Sequence, residues 1–498
     1  MLAPRRAPVT GTELTRITAS GDAPLHHVDA RYLSWSIDVS VFAGGLWWEG
    51  SNKSRRGIGT SRLSPLALDA RELNRLVRAL GPAYLRIGGS EADKIHYFEA
   101  PPGESNALVL SREQWDDLHE FLRRHDLKLF FTCKYGLFRR NEHGRWDGSA
   151  LEHLLAYSRE RDYAIDVFEL GNELNAYWAF HGLLSQPRAK NLAQDYRTFK
   201  ALVRRHYPEA RICGPGSAFW PRLGETIRPI SNITPKFLRE LAGELDIVDW
   251  HYYPFQSERS PVRTRAARRK HMTDPASFTY FERYSQHLMD LRDRLQPQAE
   301  LWTGETGSAQ CGGQPFRSDR WVSGFWWADQ LGLGARLGQK VMVRQALVGG
   351  DYGLIDRLTL KPRPDYWVSW LWRQLMGTGV YAVASSRPQV RAYLHDSALG
   401  AGRCLLLINL DEQPAPVQLE GLGAVGRRYT VTAKQLTSRK LRINGVKPKL
   451  KKGRIALDRF PVQTGLAVLP PHSISFWEIL PAAADQYCTS SISIPSGS

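Results

Sequence analysis

The chain has 498 residues, 42% of them hydrophobic and 11% aromatic, which suits two or three domains and supplies a large core, so wholesale disorder is excluded. No apolar run reaches the roughly 18 residues of a membrane span. Lys and Arg number 67 against 50 Asp and Glu, a net +17 that favours anionic partners, or that simply records an Arg-rich composition.

Residues 1–30 are polar and read as a segment that adds a strand to a later sheet; MLAPRRAPVTGTEL contains no apolar signal-peptide core. From residue 31 an alternation begins. Strand-like runs fall at 32–38, 84–88, 127–133, 165–171, 211–214, 246–252, 300–305 and 341–347, the one at 211–214 being the weakest. Between them lie amphipathic stretches such as 69–80, 112–125 and 192–206, with apolar residues at helical spacing. Eight strand–helix units predict an α/β fold, a (β/α)8 TIM barrel over 31–377, with a doubly wound open sheet as the alternative.

After residue 378 helical periodicity fades. Short alternating strands at 389–395, 403–409, 428–433, 464–469 and 474–479, with an Asn444-Gly445 turn, predict a C-terminal antiparallel β-sandwich domain over 378–480. Residues 481–498 are small and polar and read as a flexible tail.

Nucleotide-loop, zinc-hydrolase and nucleophile-elbow signatures are absent. The five cysteines are widely spaced with no C-x-x-C pair, so no metal site is expected, and whether any are paired stays open. Two carboxylates stand out by position: Glu173 in FELGNELN, just past the fourth run, and Glu305 in LWTGETGS, at the end of the seventh. Strand C-termini form the active face of a barrel, and runs four and seven lie across its mouth. Two carboxylates across a cleft suit glycosidic bond cleavage: one donates a proton to the leaving oxygen, the other attacks or activates water. The competing reading is that each glutamate caps a helix or pairs with an Arg.

The stretches YLSWSID (32–38), PAYLRIGGS (82–90), FELGNELN (168–175), VDWHYYP (248–254), LWTGETGSAQCGG (301–313), GFWWADQLGLGARLG (324–338) and DYGLIDRLTLKPRPDYWVSWLW (351–372) resemble glycoside hydrolase family 79, the heparanase and β-glucuronidase family of clan A. The resemblance spans nearly the whole chain. It implies a retaining glycosidase that needs no cofactor, with Glu173 as acid/base and Glu305 as nucleophile. It further implies Asn172 as ligand of the sugar 2-hydroxyl and Tyr253 as hydrogen-bond partner of the nucleophile, with Asp38 and Ser90 on other hydroxyls. Tyr352 and the backbone of Gln310, Cys311 and Gly312 would hold the glucuronate carboxylate; here the chain departs from the Tyr-Gly-Gly-Gly expected of the family. Residues 91–126 are too short for an excisable linker, so the resemblance implies activity without proteolysis.

The expected substrate is a glucuronate-containing glycoside or glycosaminoglycan. A long loop, 39–65, carries Trp47, Trp48, Lys53, Arg55, Arg56 and Arg62, and resembles the loop that closes a one-sugar pocket in exo-β-glucuronidases of the family. Basic clusters at 259–270 and 439–454 favour instead endo cleavage within heparan sulfate-like chains, or are solvated faces. A third reading is an inactive binder of polyanionic carbohydrate, and a fourth a glycosidase for a neutral sugar. No nucleic-acid readout motif accompanies the charge. Substrate class implies a secreted or periplasmic protein, and oligomeric state is not legible.

Overall fold

A computed structural model describes residues 13–48, 61–104, 106–136, 145–225, 227, 230–450, 455–463 and 467–481. Lys53, Arg55, Arg56 and the 481–498 tail beyond its first residue lie outside these, as do parts of the 1–30 and 439–454 segments.

Eight strands form the barrel: β1 (Leu33–Asp38), β2 (Ala83–Gly88), β3 (Leu127–Cys133), β4 (Val167–Leu170), β5 (Arg211–Trp220), β6 (Ile247–Tyr252), β7 (Glu300–Thr306) and β8 (Met342–Gln345). Each pairs in parallel with the next, and β8 pairs with β1, so the ring closes and leaves no edge. This is the expected barrel, and it excludes the open sheet. The weak run at 211–214 opens the ten-residue strand β5. Its Gly214-Pro215-Gly216 reads as a turn in sequence, yet forms an irregularity in the pairing with β6 and the strand continues.

Helices α1 (Arg71–Arg78), α2 (Arg112–Arg124), α3 (Ser149–Glu160), α4 (Ala189–His206), α5 (Thr234–Glu240), α6 (Thr279–Leu295), α7 (Trp321–Arg336) and α8 (Pro364–Leu375) follow the strands in turn. Local sequence accounts for them. In α2, Ser111 Oγ accepts from the Gln114 amide while Gln114 Oε1 accepts from the Ser111 amide, a capping box that satisfies two exposed donors. Trp115, Leu118, Phe121 and Leu122 then bury one face at helical spacing. Helix α7 differs: Trp321 through Ala335 are all buried, because the barrel covers one side and the second sheet the other.

Strand alternation layers the barrel interior. Tyr84, Phe130, Val167, Cys213, Ile247, Trp302, Val341 and Val343 form an apolar plug. Two residues further along their strands come Arg86, Thr132, Glu169 and Asp249, all buried, so the next layer is polar and charged. The layer above holds His251 and the strand ends.

The second unit is one ten-stranded mixed, curled sheet. Its main strands are β9 (Met376–Ser385), β10 (Val390–Ser397), β11 (Arg403–Asn409), β12 (Ala415–Glu420), β13 (Val425–Thr432) and β14 (Ser473–Ile479). The N-terminal strand Thr15–Ser20 joins it as expected, antiparallel to β9 and parallel to β12, so the sheet is not purely antiparallel. Both faces are apolar. Leu405 and Leu407 pack with Ile17, Val390 and Trp477 inside the curl, whereas Leu406 and Ile408 join the core shared with the barrel helices. That double burial is why β11 reads as an unbroken apolar run rather than an alternation.

Candidate active site

Glu173 and Glu305 meet in one cavity at the C-terminal end of the barrel, each about 95% buried, with 5% and 6% of its surface exposed. Different backbone devices aim them. Glu173 follows β4 in the left-handed region, at φ 52° and ψ 48°, uncommon for a residue with a Cβ, and it starts a short helical turn closed by the Ala176 amide on its carbonyl. Glu305 reaches the cavity through a register shift in β7: Thr303 lies opposite Trp250, and Glu305 opposite His251. The extra residue, Gly304, donates its N–H to Asp249 Oδ1 at 2.6 Å. A Cβ on Gly304 would lie 2.2 Å from the same carboxylate, so a side chain there is incompatible with Asp249 in place. Without the bulge, alternation from Trp302 would turn residue 305 away from the interior.

Arg86 organises the floor. Its guanidinium donates to Glu305 Oε2 at 2.7 Å, to Glu169 Oε2 at 2.8 Å and to Asn172 Oδ1 at 2.9 Å. Tyr253 donates to Glu305 Oε1 at 2.7 Å, so both nucleophile-side oxygens accept a hydrogen bond. Thr132 donates to Glu169 at 2.7 Å. His251 Nδ1 lies 3.3 Å from Glu173 Oε1, and its Nε2 lies 3.5 Å from Asp249 and 3.8 Å from Glu169. Because Arg86 binds the Asn172 carbonyl oxygen, the Asn172 amide nitrogen is the end left for another partner.

These contacts split the proton affinities of the two carboxyls. Burial raises Glu173, the neighbouring Glu305 charge adds to it, and the opposing His251 contact does not cancel them, so Glu173 titrates above the usual carboxylate range. Burial works on Glu305 in the same direction, but His251, Arg86 and the Tyr253 hydroxyl outweigh it and hold Glu305 low. Burial pulls His251 down, yet Glu305 and hydrogen bonds to Asp249 and Glu173 push it up to about 10, an imidazolium at neutral pH. Burial raises Asp249 to about 6.

The polar wall of the cavity comes from β1, β2 and the loops after β7 and β8. It includes Asp38, Ser90, Gln310, Cys311, Gly312 and Tyr352. Asp38 also accepts the Ser40 amide at 2.9 Å, capping the short helix Val39–Ala43. Trp47 and Trp48 line the mouth; Leu46–Trp47 pairs with Ser61–Arg62 as a ribbon that carries them there. Trp48 lies against the 310–313 loop: Gly312 sits at φ +76°, and a Cβ on it would meet Trp48 Cβ at 2.5 Å. Nine of the ten residues expected in the site therefore line the cavity, and the tenth, Asn172, is bound to Arg86.

Arg259, from the basic cluster, is not a surface cation. It pairs with Asp351 at 2.7 Å and donates to the Gly313 carbonyl at 2.9 Å, fastening the 310–313 loop. The Cys311 thiol is buried and pushed up to about 12 by desolvation, which leaves it un-ionised; Cys133, Cys213, Cys311 and Cys404 are all free. Arg86, Glu169, Asp249 and His251 were not anticipated as site residues. Their signal was a charge inside an otherwise apolar strand run.

Two triads bring a His and two carboxylates close enough for a cation: Glu169, Asp249 and His251, and Glu173, His251 and Glu305. In both, Arg86 already pairs with one carboxylate and the ring is an imidazolium, so their charge is neutralised from within the protein. The second triad also bounds the carboxylate spacing, since its three ligand atoms lie within 4.8 Å of one another.

The family model for the glycosyl hydrolase family 79 N-terminal domain matches residues 26–332. Heparanase-like protein 1 of Arabidopsis thaliana is 29% identical over 443 residues, covering 83% of this chain and 76% of that protein. Heparanase of Bos taurus is 29% identical over 427 residues, covering 75% and 72%. A GH51 arabinofuranosidase from Xanthomonas axonopodis pv. citri shares the fold, with TM-score 0.65 at 14% identity over 94% of this chain and 99% of that one.

Proposed function

Because the chain belongs to glycoside hydrolase family 79, the heparanase-like glycoside hydrolases, we propose that it is a retaining exo-β-glucuronidase working by double displacement. The observation that carries this reading is the pair of carboxyls held close together with opposite proton affinities, Glu173 raised and Glu305 lowered. A separation of about 5 Å suits direct attack, whereas an intervening water needs about 6.5–9.5 Å.

In the first step the ionised Glu305 attacks the anomeric carbon while Glu173 gives its proton to the leaving oxygen. Ester formation consumes the Glu305 charge. Part of what held the proton on Glu173 is that charge, so Glu173 becomes more acidic as the step completes. It can then take a proton from the water that releases the sugar. Arg86 and Tyr253 receive the departing carboxylate in position. The Asn172 amide donates to the 2-hydroxyl, and Asp38 and Ser90 take other hydroxyls. Tyr352 and the backbone N–H groups of the 310–312 loop, fastened by Arg259, take the uronate carboxylate.

Exo action is supported by Trp48, which lies against the 310–313 loop across the mouth. Endo cleavage is the second reading, supported by the exposed Arg263, Arg268, Arg269 and Lys270 beyond β6. Proton NMR of an aryl β-glucuronide digest tests the mechanism: the β-anomer of glucuronate forms first, and α-anomer first overturns it. Glu305→Gln abolishes turnover while the far-UV circular dichroism stays native, and Glu173→Gln slows natural glycosides by about 10²–10⁴-fold. An aryl β-glucoside turned over faster than the glucuronide overturns the uronate assignment.

A further inference from the structure

The cavity has two unlike halves. The polar half, from β1, β2, β7 and β8, was described above. The other half is built by the end of β5 and the segments after β4, β5 and β6: Trp178, Phe180, Trp220, Leu223, Ile227 and Val262. This wall continues from Glu173, whose own turn leads directly into Trp178 and Phe180. It lies on the side of the proton donor, and the proton donor faces the leaving group.

Its chemistry is apolar. The Trp178 indole N–H is bound to Ser231 Oγ at 2.7 Å and so is turned inward, and the Trp220 indole N–H is buried. Phe180 packs edge-on against Trp220 with ring centroids 5.8 Å apart, yet remains 41% exposed, and Val262 is 50% exposed. Among the described residues no Lys or Arg lines the cavity. Among those described residues a sulfated or uronate-rich acceptor would find no cation on this wall to compensate its lost hydration. Exposed apolar surface contiguous with a site marks what the site binds.

We propose that the leaving group accepted by this enzyme is apolar, an aromatic or alkyl alcohol rather than a further anionic sugar. The proposal rests on the glycosidase reading above and specifies its acceptor side. Glucuronides of hydrophobic alcohols are the class implied.

Methyl and octyl β-glucosiduronates share an aliphatic alcohol leaving group, so their chemistry is matched and their reach along the wall is not. We expect kcat/KM for the octyl compound to exceed that for the methyl by about tenfold or more. In Phe180→Ala/Val262→Ser the octyl-to-methyl ratio falls towards one. The same pair is run as β-glucosides. Octyl preference on glucosides, with glucuronides inert, supports the acceptor inference and overturns only the sugar assignment. Equal rates for octyl and methyl on whichever sugar is hydrolysed overturn the acceptor inference and leave the sugar assignment standing. So does faster release of glucuronate from a sulfated heparan tetrasaccharide than from the octyl compound, or a ratio unmoved in the double variant.

Discussion

At the scale of single residues, the site is a network of charges: Arg86 pairs with Glu169 and Glu305, and His251 faces Glu169, Glu173 and Asp249. The coupling is testable. Removing the nucleophile's charge in Glu305→Gln lowers the titration of Glu173, which carbon-13 NMR of labelled glutamate carboxyls measures; an unmoved Glu173 would show that burial alone sets it. The activity profile has matching limbs: turnover is lost in acid as Glu305 is protonated, below the usual carboxylate range, and in base as Glu173 ionises, above it. His251 ties the same network to stability. Its folded value of about 10 lies above the unfolded one of about 6.5, so its contribution is complete below pH ~6.5 and fades as pH rises through ~10. The native melting temperature therefore falls from neutrality to pH 10 more steeply than that of His251→Asn. The two glutamates were legible from their place at strand ends. Arg86, Glu169, Asp249 and His251 were not, because sequence gives no rule by which a charge in an apolar run finds its counter-ion on another strand. Only the closed ring, with Arg86, Glu169 and Asp249 in one layer and His251 in the layer above, brings them together.

At the scale of elements, the bulge in β7 decides where the nucleophile points. Gly304→Ala drives a Cβ into Asp249, and we expect destabilisation of about 1–3 kcal/mol with loss of most activity, read by urea unfolding and by kcat. Asp249→Asn in the same background leaves that contact in place, whereas Asp249→Ala relieves it and recovers stability without activity. Capping offers a contrast. Ser111→Ala removes one half of the α2 box and costs about 1 kcal/mol, with kcat unchanged, because α2 lies on the outside of the ring. Helices α1, α2 and α4 and the barrel strands were readable from their period. What was not readable follows from context: β5 runs through a Gly-Pro-Gly that reads as a turn, β9 lacks a clean alternation, and the alternation of Ala415, Val417 and Leu419 in β12 is interrupted by Pro416 and preceded by Pro414. The register shift in β7 leaves no sequence signal beyond a glycine.

At the scale of the whole molecule, barrel and sheet share one core. Asp329 of α7 accepts Arg391 Nε at 2.7 Å and Tyr393 OH at 2.6 Å across the joint, and Trp321 donates to the His472 carbonyl at 3.2 Å. Arg344, fully buried, pairs with Asp365 at 2.7 Å and lies over Trp326 and Trp327. Residues from both units fall in the same apolar cluster. Calorimetry is therefore expected to give one cooperative transition. Two separated transitions would show that the joint is not the continuous core described. The sequence divided the chain into barrel and second unit near residue 378, and the texture change there is real: strand β9 starts at Met376. What it could not convey is that the second unit has two buried faces.

The N-terminal strand has a consequence for synthesis. Thr15–Ser20 leaves the ribosome early, but its partners in β9 and β12 lie beyond residue 375. At translation speeds of about 5–20 residues per second the strand waits on the order of tens of seconds. The barrel strands β1 to β8 emerge in that interval, while the Thr15–Ser20 segment is without its sheet partners. Folding can be completed only once the last sheet strands appear and the strand is drawn in beside them. That edge is open to pairing with other chains throughout the interval, so we expect the yield of folded enzyme to rise with chaperone supply.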